Sequence, residues 1–173
     1  MTKTRITVLT LEKKMNISNE ERKRFMEVFP FSGDTTLQIL KGHILAEEKV
    51  REVVRLQLPH RQALIGSQGA TFDCHQMICL AEAITPESPK QEWLWIALKK
   101  LNRLRNYLAH QIEESESLGN KIGDLVSFVR KNDNTYQSLS TKFEESEQLA
   151  FCIMSLNTNL AALIQMVKNK RIN

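Results

Sequence analysis

Arg105 and His110 lie at the two ends of the run Arg105-Asn106-Tyr107-Leu108-Ala109-His110. On a helix that separation amounts to about 140° of rotation and roughly 7.5 Å of rise, so guanidinium and imidazole do not stack but can converge on a phosphate-sized ligand. The arginine keeps its charge and presents a fork of donors, while the imidazole exchanges protons near neutrality. Such a pair suits work on an anionic group, especially if a second copy of the chain supplies the opposite wall. Lys99, Arg103, Asn106 and His110 follow a 4-3-4 spacing and form a polar stripe on one helical face. Lys99 and Arg103 are therefore candidate binding residues, with Tyr107 from within the run, beside Arg105, Asn106 and His110.

A helix must hold these groups. Ser88-Pro89-Lys90-Gln91 combines a capping serine, a proline at the first helical position and a glutamine three residues after the cap. The expected helix runs from Pro89 through Trp93, Leu94, Leu98, Leu101, Leu104 and Leu108 to about Ile112. Along it, Leu94, Leu98, Leu101, Arg105, Leu108 and Ile112 share a seam, which places Arg105 among apolar neighbours. A guanidinium drawn out of water needs an anionic partner; the alternative is a packed stem with its head in solvent. An earlier helix over 35–58, ended by Pro59, puts Glu47 on its own seam with Leu40, Ile44, Arg51, Val54 and Leu58. Glu47 is thus expected to face Arg105 across the bundle and fix its orientation.

The remaining elements are also helical. Ser18-Asn19-Glu20-Glu21 is a capping box for a short helix carrying Phe25, Met26, Val28 and Phe29. Residues 6–11 read equally as a strand or a helical turn. Thr71 is expected to cap a helix holding Phe72, Met77, Ile78, Leu80 and Ile84. An amphipathic stretch spans 121–130, and Thr141-Lys142-Phe143-Glu144 is expected to open a long helix with Phe143, Ala150, Ile153, Leu156, Leu160, Leu163, Ile164 and Val167. With 173 residues, 42% hydrophobic and 25% charged, the chain can bury one core. Six Gly and four Pro are few for the turns of an all-β protein. The expected class is all-α, with an N-terminal arm over 1–32 and a helical domain over 33–173.

Other signals narrow the function. The net charge of +4 is compatible with an anionic partner but lacks the dense basic blocks of a histone-like binder. Near the N-terminus Lys13, Lys14, Arg22, Lys23 and Arg24 are interleaved with Glu12, Glu20, Glu21 and Glu27, the pattern of a solvated face. Three cysteines, no signal-peptide pattern and no apolar run approaching a membrane span predict a reduced cytoplasmic protein with free thiols. Cys74-His75 with Cys79 resembles a metal cluster only loosely, because positions 74 and 79 diverge on a helix and no second ligand pair is evident. His43 and His60 read as surface or helix-end residues, with His43 the better candidate because it precedes the Glu47 turn. Trp93 and Trp95 read as packing residues rather than an RNA platform. There is no glycine-rich phosphate loop, triad spacing or dinucleotide fingerprint, and neither metal nor cofactor is expected.

The run from Arg105 to His110 resembles the signature of the HEPN superfamily, named for higher eukaryotes and prokaryotes nucleotide-binding: an arginine, a polar residue, and a histidine after a short gap. Gly42-His43-Ile44-Leu45-Ala46-Glu47, Thr71-Phe72-Asp73 and Lys100-Leu101-Asn102-Arg103-Leu104-Arg105-Asn106 are similar to the subgroup related to the mannitol operon repressor. The resemblance covers roughly 35–112. It implies a HEPN-like helical bundle and, in active members, metal-independent endoribonuclease chemistry of the toxin or defence type at a homodimer interface. His110 would then exchange protons with the attacking or leaving oxygen, Arg105 would hold the phosphoryl oxygens, and Asn106 would orient the imidazole or a phosphate oxygen. RNA is the implied partner, with an antitoxin protein as a further one. The superfamily also contains non-catalytic regulatory and binding members, and that alternative stays open at this point.

Overall fold

Asp34 accepts the backbone N–H of Thr36 at 2.7 Å and of Leu37 at 3.3 Å, and this side-chain cap starts the first long helix. The computed structural model describes residues 19–65, 72–109 and 116–172. In these the order is α1 (Asn19–Val28), α2 (Thr35–Gln57), α3 (Cys74–Ile84), α4 (Glu92–Ala109), α5 (Glu116–Asn132), α6 (Asn134–Ser140) and α7 (Gln148–Ile172). Short 3₁₀ turns occupy Arg61–Leu64, Ser88–Lys90 and Glu145–Glu147. Among the described residues there is no β-strand, so the class is all-α.

The core is organised around α7. Phe151, Ile153, Met154, Leu156, Leu160, Leu163 and Ile164 are all buried, and so are Ser155, Asn157 and Thr158. A helix buried on every side belongs at the centre of its bundle, with α2 packed along it. Within the segment 145–170 an 18-residue stretch has a mean hydropathy of 1.5 and is long enough to cross a membrane, a property the sequence reading overlooked. With 78% of that apolar stretch buried inside the bundle, it is accounted for as a core helix.

The aromatic residues of α1 and of the turn that follows it join the same core. Phe25 and Phe29 stack with centroids 4.9 Å apart, Phe31 meets both edge-on, and Phe31 reaches Phe151, which stacks on Phe143 at 3.8 Å. The part of the expected arm from residue 19 onward is therefore anchored to α7. Ser18 of the proposed capping box, and the stretch 6–11, lie outside the described residues.

Several starts differ from expectation, each for a local reason. The hydroxyl of Ser88 donates to the carbonyl of Glu82 at 2.5 Å, which ties its 3₁₀ turn back to α3. Gln91 then leaves helical geometry, at φ −130° and ψ 27°, so α4 begins at Glu92 and not at Pro89. Thr71 lies outside the described residues; Asp73 caps α3, in a reciprocal box with Gln76. Thr141 closes α6, a helix the sequence reading missed, and the capping box before α7 joins Glu144 to Glu147. The stretch expected over 121–130 extends over all of α5.

At Gly42, α2 packs directly against α7. A Cβ there would lie 2.4 Å from Ile153 Cγ2 and 3.4 Å from Phe29 Cε2. On an exposed helix Gly→Ala gains up to about 1 kcal/mol of propensity, but here overpacking of about 1–3 kcal/mol opposes it. Ile153 is fully buried and its Cγ2 branches directly from Cβ, so it has no room to swing aside. Gly42→Ala is expected to lower the urea midpoint. A double-mutant cycle with Ile153→Ala should show the pair less destabilised than the sum of the single changes.

Candidate functional site

His43, Glu47 and Arg51 are spaced four residues apart on α2 and therefore line one face. Arg51 grips a single oxygen of Glu47, with Nε at 3.0 Å and Nη2 at 2.6 Å from Oε1, and Nη2 also donates to the Phe72 carbonyl at 2.9 Å. Glu47 Oε2 lies 3.8 Å from His43 Nδ1. The other ring nitrogen of His43, Nε2, is 2.9 Å from Oδ1 of Asn102 on α4. Both residues of this last pair are buried, so the contact locks the imidazole plane and joins α2 to α4.

The third wall is the start of α3. The backbone N–H of Gln76 donates to Asp73 Oδ1 at 2.8 Å while the backbone N–H of Asp73 donates to Gln76 Oε1 at 3.0 Å. This fixes Cys74, the first residue of α3, beside Glu47. A cleft of about 330 Å³ results, lined by His43, Glu47, Arg51, Phe72, Asp73, Cys74, His75, Asn102, Arg105 and Asn106. Burial lowers the pKa of His43, against the opposing pull of the Asn102 hydrogen bond and the Glu47 charge. Burial, with the charge of Glu47, pushes the Cys74 thiol up to about 12.

The sequence-derived candidates separate into two groups. Arg105 and Asn106 lie on the cleft, both exposed, and Arg105 Nη1 donates to Asn106 Oδ1 at 3.1 Å. Arg105 is thus not buried in a seam: Leu94, Leu98, Leu101, Asn102 and Leu104 form the inward face, and the guanidinium extends from its edge. The partner of Glu47 is Arg51, its neighbour one turn along, and not Arg105. Glu47 and Arg105 nevertheless border the same cleft. His110 lies outside the described residues.

Lys99, Arg103 and Tyr107 do not line this cleft. Lys99 turns to α3, where its Nζ is 2.5 Å from Glu82 Oε2. Tyr107 is half-buried with Lys121 Nζ 5.1 Å above its ring, a cation–π contact to α5, and Arg103 is exposed. Trp95 is fully buried and Trp93 packs against the core, as expected. Cys74, Cys79 and Cys152 are free thiols, also as expected, and Cys79 Sγ lies 3.7 Å from His75 Nε2.

Sequence reasoning placed His43 at the surface and passed over Asn102. His43 is only 5% exposed. Its spacing from Glu47 was the available signal for the first residue; for Asn102 the signal was an amide one turn beyond Leu98 on the inward face. Compared with known protein families, with curated proteins and with solved structures, the chain matches none.

Proposed function

We propose that this chain is a HEPN-like, metal-independent endoribonuclease of the toxin or defence type that works as a homodimer. The observation that carries the reading is the pair Arg105–Asn106, exposed side by side on a polar cleft, with no carboxylate paired to Arg105 among the described residues. An arginine held at a concave site without a carboxylate partner is available to a phosphodiester. Its neighbour Asn106 supplies an amide to the same ligand.

In this reading the ribose 2′-hydroxyl loses its proton and attacks the adjacent phosphorus. The 2′-O–P bond forms, the P–O5′ bond breaks, and the leaving 5′-oxygen takes up a proton. The products are a 2′,3′-cyclic phosphate and a 5′-hydroxyl. His110 exchanges a proton with the attacking or leaving oxygen, and Arg105 offsets the charge gained by the non-bridging oxygens. Asn106 orients the imidazole or a phosphate oxygen. Two motifs face one another across the dimer, with Arg103 able to meet the strand on either side. The partners are RNA and an inhibitory antitoxin protein, and the place of action is the cytoplasm.

Purified protein incubated with mixed-sequence RNA in excess EDTA tests this. Fragmentation of the RNA is the expected result. Intact RNA at high protein concentration, with the dimer demonstrated in the same sample and no second protein bound, would overturn it in favour of a non-catalytic binding protein.

A further inference from the structure

The two ring nitrogens of His43 face different partners. With Nε2 donating to Asn102 Oδ1, as the 2.9 Å contact allows, Nδ1 presents a lone pair toward Glu47 Oε2. Two acceptors then face each other at 3.8 Å, beyond the reach of a direct hydrogen bond. Arg51 engages Glu47 through Oε1, so the negative charge is offset while Oε2 stays presented. The sulfur of Cys74 completes a triangle: the ligand atoms of His43, Glu47 and Cys74 all lie within 4.8 Å of one another.

We propose that His43 Nδ1, Glu47 Oε2 and Cys74 Sγ form a binding site for a divalent, thiophilic cation, best matched by zinc. Bonds of about 2.0–2.1 Å to nitrogen and oxygen and about 2.3 Å to sulfur put tetrahedral ligands roughly 3.3–3.7 Å apart. The observed triangle needs contractions of up to about 1.1–1.5 Å on this arithmetic, which side-chain torsions at Glu47 and Cys74 supply. The mixed nitrogen, oxygen and sulfur set favours zinc over magnesium or calcium, which prefer oxygen alone. Asn102 is the positioning residue, since a ligating imidazole is commonly held by a hydrogen bond on its other nitrogen. Three protein ligands leave a fourth position open to the cleft, where a water fits.

On binding, the thiol proton of Cys74 passes to solvent; the thiolate and carboxylate offset the dication, and the Arg51 guanidinium leaves the cluster with one net positive charge. The ion would clasp α2 to the first turn of α3 and set the charge of the cleft wall facing Arg105. This site does not rest on the ribonucleolytic reading.

The test uses the full chain, stripped with chelator and dialysed, without RNA. Zinc is titrated calorimetrically, and cobalt(II) serves as a spectroscopic probe through its thiolate charge-transfer absorption. One ion per chain and a cobalt–thiolate band are expected. Both should be lost in Cys74→Ser and strongly weakened in Glu47→Gln, while Cys79→Ser and His75→Ala retain them. Asn102→Ala should weaken binding about 10–100-fold. Circular dichroism of each variant separates a lost ligand from a lost fold, and the cobalt spectrum of the unmodified chain stands independently of any variant. Absence of the thiolate band in the unmodified chain overturns the site. So does its survival in Cys74→Ser, or its loss in Cys79→Ser, which would move the ion to the outer face of α3.

Discussion

Arg105→Ala and His110→Ala are each expected to lower RNA cleavage in EDTA by at least about 10²-fold, and His110→Ala by as much as about 10⁴-fold. The magnitudes follow from the roles. Removing a proton-transfer group forfeits the driving force it gives the attacking or leaving oxygen, whereas removing one charged donor forfeits part of the stabilisation of the phosphorane oxygens. Arg105 is exposed and among the described residues it hydrogen-bonds to Asn106, so its loss should leave the unfolding midpoint in place. Arg105→Lys should recover only a fraction of the activity, because an ammonium cannot fork onto two phosphoryl oxygens. Initial rates on a single labelled RNA, with dimer content checked by light scattering, provide the readout. A rate unchanged in Arg105→Ala would contradict the assignment.

Asp133→Ala is expected to be strongly destabilising. Asp133 is only 5% exposed and ends the joint between α5 and α6. Its Oδ1 accepts the N–H groups of Thr135 at 2.8 Å and Tyr136 at 3.1 Å. Its Oδ2 accepts the hydroxyl of Ser155 and, at 3.1 Å, the amide of Asn159. The alanine variant loses a helix cap of about 0.5–2 kcal/mol and strands a hydroxyl inside the core at about 1–3 kcal/mol. A combined loss of about 2–4 kcal/mol is expected, and with it a fall in melting temperature on the order of 10 °C for a chain of this size. Asp133→Asn keeps one acceptor for the cap and should lose about half as much. A melting curve unmoved by Asp133→Ala would mean that the joint is not held by this carboxylate.

The helical class was legible because it depends on composition and local periodicity, both of which a single sequence displays. Helix starts were less so, and the misreadings have a common cause. Ser88 has the right neighbours for a cap, but its hydroxyl serves the Glu82 carbonyl, a partner supplied by the end of α3. Thr141-Lys142-Phe143-Glu144 has the spacing of a capping box, yet the reciprocal bonds form between Glu144 and Glu147. Asp133 was readable as a cap, and α6 was missed because its seven residues are too few to show a period.

At the site, the local motif was visible and the tertiary contacts were not. Arg105 and Asn106 are neighbours in the chain, and their exposure on one cleft follows from the pitch of α4. Assigning Glu47 to Arg105 ignored a nearer cation, since Arg51 sits one turn away on the same helix and needs no folding of distant elements to reach it. The His43–Asn102 contact joins positions 59 residues apart. Its existence depends on how α2 crosses α4, which no periodicity encodes. Cys74 illustrates the same limit: along α3 it read with His75 and Cys79 as only a loose cluster, whereas the fold brings it to His43 and Glu47.

The most direct measurement compares RNA and DNA strands of the same mixed sequence, incubated with the purified protein in EDTA, with the fragment ends identified by mass spectrometry. Attack by the ribose hydroxyl predicts RNA fragments ending in a 2′,3′-cyclic phosphate and beginning with a 5′-hydroxyl, alongside untouched DNA. Equal cutting of both strands, RNA ends of another chemistry, or no cleavage by protein free of any bound second protein would contradict it.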